Sequence, residues 1–256
     1  MLKYPENQKI WHYRQMLFFD GTRGRLHFRR WPVDSPDAVA VLLHGLGQHS
    51  GNYHRFARSL NAIGVEVWGL DLAGHGLSEG DPEQPGTLAE LVADATVLVR
   101  RAHAEQPELP LVLMGHSLGA VTTLGLLGAA VPDTMSGADL GGVESSYPLT
   151  PSVPLEWLAG LVLSGVPRRA LGGGTPGAPG TPLPAGLPVL AVHGTEDRRA
   201  PVEGIRLWTA RHESVDLREY AEAGHDLLHE PVKGRVAADI AQWLRAVVIV
   251  NRVATG

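Results

Sequence analysis

Residues Leu111 to Gly119 read LVLMGHSLG, an apolar strand-like run that breaks into Gly115-His116-Ser117-Leu118-Gly119 and leads into a helix-like stretch. A chain that passes from strand to helix over so few residues must turn sharply. The pattern G-x-S-x-G in that setting lifts one serine hydroxyl out of a sheet on a strained turn. Glycines flank the serine because neighbouring chains approach such a turn too closely for a Cβ. The competing reading, a glycine-lined turn around a buried serine, depends on whether Ser117 has partners elsewhere in the chain.

The surroundings of this turn are those of an α/β sheet. Short apolar runs without polar alternation, as expected of parallel strands buried on both faces, alternate with segments of helical period. Strands are expected at 15–20, 24–31, 38–43, 65–70, 111–115, 158–164, 189–193 and 215–220, a mostly parallel sheet of about eight. Helices are expected at 52–63, 88–104, 118–130, 202–212 and 233–247. The apolar run Ala246-Val247-Val248-Ile249-Val250 reads as a helix end or a packed tail. A length of 256 residues, 44% of them hydrophobic, suits one large domain over 1–256. Two segments break the rhythm: an irregular insert at 132–156 and a glycine- and proline-rich stretch within 165–188.

Composition narrows the function classes. A net charge of −5 with 6% aromatic residues and no basic stripe gives nucleic-acid binding nothing to rest on. The chain contains no cysteine, so disulfides, thiolate metal sites and a cysteine nucleophile are excluded, and a reducing compartment fits. Residues 1–9 lack the apolar core of a signal peptide, and no window approaches the ~18 apolar residues of a membrane span. The expectation is a soluble, cytoplasmic protein with no membrane span; peripheral lipid contact and oligomeric state are left open.

A serine hydroxyl becomes a nucleophile only when a base takes its proton, and the base needs a carboxylate to fix its tautomer. Two later loops, each just past a strand, supply them: His193-Gly194-Thr195-Glu196-Asp197 and Tyr220-Ala221-Glu222-Ala223-Gly224-His225-Asp226. Ser117, Asp197 and His225 are the expected catalytic set. Glu196 is the alternative acid; Asp197 is preferred because it ends the Gly-Thr-x-Asp turn. The oxyanion of an acyl-transfer intermediate needs fixed donors. The Leu118 N–H after the serine is one, and the Leu46 N–H in His44-Gly45-Leu46-Gly47 the other. His193 reads as a hydrogen-bonded core histidine. His229, four residues after His225, would share a helix face with it, yet no third ligand at metal spacing follows, so no metal is expected.

HGLGQHSGNY (44–53), DLAGHGLSEG (71–80), GHSLG (115–119), HGTEDRRAP (193–201) and AGHDLLHEP (223–231) together resemble the α/β-hydrolase fold. More narrowly they are similar to its monoacylglycerol lipase and lysophospholipase branch, grouped with serine aminopeptidase-like (S33) hydrolases. The resemblance implies hydrolysis of a small-molecule carboxylic ester through an acyl-serine intermediate, without cofactor. It also implies that Asp71 and His75 brace a loop. His44, Gln48, Asn52, His116 and His229 are the expected substrate-pocket residues. Where the family usually reads HGxGEHSGRY, this chain has Gln48 and Asn52. The family's cap over the pocket has little room here, which predicts an open, minimally capped site. A thioesterase or carbon–carbon bond hydrolase would use the same three residues. An iminopeptidase would lack its cap, and a non-catalytic binding protein would have no use for the intact set.

Overall fold

The computed structural model describes residues 17–128, 150–172 and 182–254. Eight strands form one sheet: β1 (Phe18–Gly21), β2 (Gly24–Trp31), β3 (Ala38–Leu43), β4 (Val65–Leu70), β5 (Leu111–His116), β6 (Leu158–Ser164), β7 (Val189–Gly194) and β8 (Val215–Tyr220). Their spatial order is β1-β2-β4-β3-β5-β6-β7-β8. The pairs β1/β2 and β2/β4 are antiparallel, and every pair from β4 to β8 is parallel. The helices are α1 (His54–Asn61), α2 (Leu88–Glu105), α3 (Leu118–Leu126), α4 (Val202–Thr209) and α5 (Lys233–Ala254). Among the described residues no helix is long and apolar enough to cross a membrane.

The continuous apolar strands follow from burial on both faces. Successive side chains of a strand point to opposite sides. In β3, Val39, Val41 and Leu43 enter the core under α2, α3 and α4, while Ala38, Ala40 and Leu42 enter the one under α1 and α5. Leu111 and Leu113 of β5 join the first, Val112 and Met114 the second. β4 to β7 must therefore be apolar at nearly every position, which is why their limits lie within one residue of where the sequence places them.

Helix ends have equally local causes. α2 opens on a capping box, the Glu90 N–H donating to Thr87 Oγ1 at 3.3 Å and the Thr87 N–H to Glu90 Oε2 at 2.7 Å. The segment expected as one helix from 52 to 63 is instead a 3-10 turn (Ser50–Tyr53) followed by α1. The expected tail at 246–250 continues α5. Gln15 and Met16 of the expected first strand, and residues 132–149 of the irregular insert, lie outside the described residues. The rest of that insert enters β6 through a 3-10 turn, Leu155–Trp157, at the edge of the sheet away from Ser117. There Trp157 stacks on His103 of α2, centroids 3.9 Å apart. Between β6 and β7, the described residues form a 3-10 turn, Arg168–Leu171, whose Arg168 side chain lies against Gly204 of α4. The remainder of that stretch, residues 173–181, is not described.

The carboxyl edge of β5 depends on a close backbone contact. A Cβ on Gly119 would collide with the carbonyl group of Leu43 at the end of β3 and approach the His44 carbonyl at 2.8 Å. Gly119→Ala is therefore expected to lower the stability by about 1–3 kcal/mol, the usual cost of overpacking. The urea midpoint of the variant checks this.

Candidate active site

Ser117 sits between β5 and α3 with φ 51° and ψ −111°, a backbone conformation that costs a non-glycine residue about 1–3 kcal/mol. The surroundings hold it there. Its N–H donates to the Ser164 carbonyl at 2.9 Å, and its own carbonyl accepts from Ala120 and Val121 at 3.0 and 3.1 Å, starting α3. The side chain consequently projects from the carboxyl edge of the sheet.

Two loops carry the groups that meet it. The loop after β7 lies directly on the loop after β8. The Glu196 N–H donates to the Ala223 carbonyl at 2.9 Å, Thr195 N–H to the Tyr220 carbonyl at 3.0 Å, and a Cβ on Gly194 would strike the carbonyls of Ala223 and Gly224. This contact places His225 Nδ1 2.7 Å from Asp197 Oδ2 and His225 Nε2 2.9 Å from Ser117 Oγ. Asp197 is buried, and its other oxygen accepts from the N–H groups of Arg199 and Ala200 at 2.9 and 2.8 Å. Burial alone would raise its pKa, but the His225 and Ala200 hydrogen bonds outweigh burial and hold the carboxyl below its ordinary value. An ionised carboxylate can only accept, so the Nδ1 proton of His225 faces Asp197 and Nε2 is left to accept from the serine. Glu196, the alternative acid, is exposed, whereas Asp197 is the carboxylate against the imidazole.

The loop after β3 is pinned at nearly every amide. His44 is fully buried; its Nδ1–H donates to the Gly45 carbonyl at 2.8 Å and its Nε2 accepts from the Leu72 N–H at 3.0 Å. Gly45 N–H donates to Gln48 Oε1 at 3.1 Å, and Gly47 N–H to His75 Nε2 at 3.0 Å. Among the described residues no acceptor meets the Leu46 N–H, and its side chain points out, 52% exposed. Leu118 is the first residue of α3, so its N–H has no intrahelical acceptor either.

Several pocket expectations are corrected. His44 is a brace between two loops, with neither nitrogen left for a ligand. Asn52 caps the 3-10 turn, its Oδ1 accepting from the His49 N–H at 2.9 Å. His229 is not on a helix with His225; its N–H closes a turn on the Asp226 carbonyl at 2.7 Å and its ring meets Tyr53 edge-on at 5.2 Å. Gln48 and His116 do lie beside the site, both bonded to Asp226, at 2.8 and 3.2 Å. His193 is a core histidine donating to the Ala200 carbonyl at 2.6 Å. No group of three potential metal-ligating side chains forms among the described residues.

Asp71 and His75 brace the neighbouring loop. Asp71 accepts from His27 Nδ1 at 2.8 Å, Ser50 N–H at 2.6 Å and Leu77 N–H at 3.0 Å. Burial opposes its ionisation, but these donors more than compensate and keep the carboxyl well below the usual range. Sequence reading missed Glu230, whose two oxygens accept from Gly224 N–H at 2.6 Å and Asp226 N–H at 3.0 Å, one on each side of His225. Its signal was an acidic residue a few positions after the histidine, in a segment too short for helical pairing.

The fold and this constellation define a class: an α/β hydrolase with a serine at the turn after the fifth strand. Residues 34–171 match the family model described as serine aminopeptidase, S33, a segment that includes Ser117 and stops short of Asp197 and His225. The monoacylglycerol lipase of Mycolicibacterium smegmatis is 31% identical over 268 residues, covering 88% of this chain and 95% of that protein. The human monoglyceride lipase is 35% identical over 100 residues, covering 39% of this chain and 33% of that one. Among solved structures, a soluble variant of the monoglyceride lipase from Saccharomyces cerevisiae, in complex with a substrate analog, superposes with a TM-score of 0.67 at 16% identity, over 90% of this chain and 94% of that one. The monoacylglycerol lipase of Paleococcus ferrophilus gives 0.60 at 21%, over 87% and 99%. The chain belongs to the S33 serine aminopeptidase family of hydrolases, in its monoacylglycerol lipase-like part.

Burial pushes the His44 pKa down to about 4. An unfolded His44 protonates near 6.5, so stability present above that pH drains away as the pH falls from about 6.5 toward 4, by at most roughly 3 kcal/mol. Buried His193, whose pKa is also lowered by burial, adds a loss of the same sign. His44→Gln, which can keep both hydrogen bonds, is expected to flatten part of this fall in urea titrations at pH 6.5 and 4.5.

Proposed function

We propose that this chain hydrolyses small carboxylic esters through an acyl-serine intermediate. The observation that carries the reading is the continuous hydrogen-bonded line Asp197–His225–Ser117, with 2.7 and 2.9 Å links, ending on a serine held at positive φ. In this reading His225, oriented by Asp197, takes the Ser117 proton as the oxygen attacks the ester carbonyl. The Leu46 and Leu118 amides, both without an acceptor among the described residues, receive the oxyanion, each worth about 3 kcal/mol in the transition state. His225 then gives its proton to the departing alcohol, and a water activated by the same imidazole frees the acid.

The relatives' names supply the substrate class: a monoacylglycerol-like ester, with an apolar acyl chain and a polyol leaving group. We place the activity in the cytoplasm, since a chain without cysteine needs no oxidising compartment.

Ser117→Ala is expected to remove turnover of a p-nitrophenyl ester by roughly 10⁶-fold while circular dichroism and the urea midpoint stay native. The wild type should be labelled at Ser117 by a fluorophosphonate. Full activity in the variant, or labelling elsewhere only, would sink the assignment. Glu230 acts through His225 rather than on substrate, so Glu230→Gln should lower kcat by about 10- to 100-fold and leave KM within about a factor of two. An equal loss through KM alone would contradict that positioning role.

A further inference from the structure

Beside the line from Asp197 to Ser117 runs a second polar chain that the proposed chemistry does not use. Asp226 directly follows His225. Its Oδ1 accepts from Gln48 Nε2 at 2.8 Å and from His116 Nε2 at 3.2 Å. Gln48 belongs to the loop that carries the Leu46 amide, and its own oxygen is taken by the Gly45 N–H at 3.1 Å and the Tyr53 hydroxyl at 2.6 Å. His116 immediately precedes Ser117; its Nδ1 lies 3.2 Å from Ser164 Oγ, and its ring lies 4.9 Å from that of His225. One carboxylate thus ties together the three segments that surround the reacting carbonyl: oxyanion loop, serine turn and histidine loop.

This carboxylate is not buried within its network. Its side chain is 37% exposed, and among the described residues its Oδ2 has no hydrogen-bond partner. The hydrogen bond from His116, working against partial burial, holds its pKa at about 2, so it stays ionised across the working range. The groups facing it are His116 from the serine turn, His225 from its own loop, Tyr53 from the 3-10 turn after β3, Arg199 from the loop after β7, and His229 and Glu230 from the turn that follows. Glu230 is committed to backbone amides, which leaves Arg199 as a partial counter-charge and Oδ2 as a fixed anionic oxygen open to the mouth.

Resting on the ester-hydrolase reading above, we propose that Asp226 is a specificity-determining residue: its tethered carboxylate discriminates against acyl substrates whose leaving group is anionic and favours neutral or cationic ones. The leaving oxygen must pass His225 to collect its proton, and the residue next to His225 is Asp226. A negative charge on the leaving group is therefore brought toward a second one that can neither swing away nor take up a proton. This sets alcohols such as a polyol apart from phosphate-bearing thiols, a choice that the shared acyl-serine chemistry does not make.

The test uses 4-nitrophenyl acetate and 3-carboxy-4-nitrophenyl acetate, near-isosteric esters that differ by one carboxylate on the leaving group. Their kcat/KM ratio is measured at low ionic strength and corrected for the ratio of their alkaline hydrolysis rates. The wild type should disfavour the carboxylated ester by about five- to tenfold, and added salt should compress the difference. Asp226→Asn, which keeps an acceptor for Gln48 and His116, should remove most of the discrimination. Arg199→Gln should sharpen the discrimination. A purely structural role for Asp226 would lower both rates together and leave their ratio in place, which overturns the proposal. Should Asp226→Asn not fold, an Arg199→Gln ratio equal to that of the wild type, together with no response to salt, overturns it equally. If the wild type turns over neither ester, the hydrolase reading falls and this inference with it; if it turns over both alike, only the inference falls.

Discussion

At the carboxyl edge of the sheet, backbone rests on backbone, and the site depends on two of these contacts. Gly119 lets the first turn of α3 sit against the end of β3, which brings the Leu118 amide near the loop that carries Leu46. Gly194 lets the loop after β7 sit on the carbonyls of Ala223 and Gly224, which brings Asp197 to His225. Neither contact has room for a methyl group, and neither can be replaced by side-chain packing, because a Cβ would force the loops apart by more than a hydrogen bond tolerates. The strain at Ser117 is held by these contacts and by the Ser164 carbonyl rather than by anything the serine does for itself.

Around those contacts, buried polar groups do the work that water does at ordinary loops. The segment after β4 is irregular, and residues 71–75 are mostly buried, so the polar groups there need partners within the protein. Asp71 supplies both oxygens to that end, reaching the Ser50 and Leu77 amides and the His27 ring at once. His44 and His75 continue the pattern, each using one nitrogen on a carbonyl and the other on an amide of the neighbouring loop. A neutral imidazole is suited to this, being donor and acceptor in fixed opposite directions, and burial keeps His44 neutral. The rigidity of the Leu46 loop is therefore built from histidines and carboxylates that touch no reacting atom.

What the sequence made legible follows the same division. β3, β4 and β6 lie where their apolar runs predict, since the central strands are covered on both faces and tolerate few polar residues. That Ser117, Asp197 and His225 meet was legible because each follows a strand that ends at the same edge, and parallel connections leave little freedom in what they bring together. The pocket residues were not. His44, Asn52 and His229 stand in the same motifs as the reacting groups, but whether such a side chain turns toward substrate or back into a loop depends on which amides lie unpaired nearby. Adjacency in sequence carries no information about that. Glu230 escaped for the converse reason: it reaches the site only by accepting two amides of a turn whose shape the sequence does not display.

The electrostatics of the edge divide along the same lines. Asp197 and Asp226 stand on either side of His225, both ionised, yet their settings differ. Asp197 has its oxygens consumed by His225 and two amides, so its charge is spent on one imidazole and on the loop that carries it. Asp226 is anchored by one oxygen and open at the other, so its charge projects outward to whatever approaches. A single carboxylate could not serve both ends: fully bonded it would be silent toward substrate, and exposed it would hold the imidazole poorly against water. Placing the two on different loops, one buried and one at the rim, separates orientation of the base from selection of the leaving group. The fixed hydrogen-bond geometry of Gln48 and His116 is what makes the second charge directional rather than a diffuse surface potential.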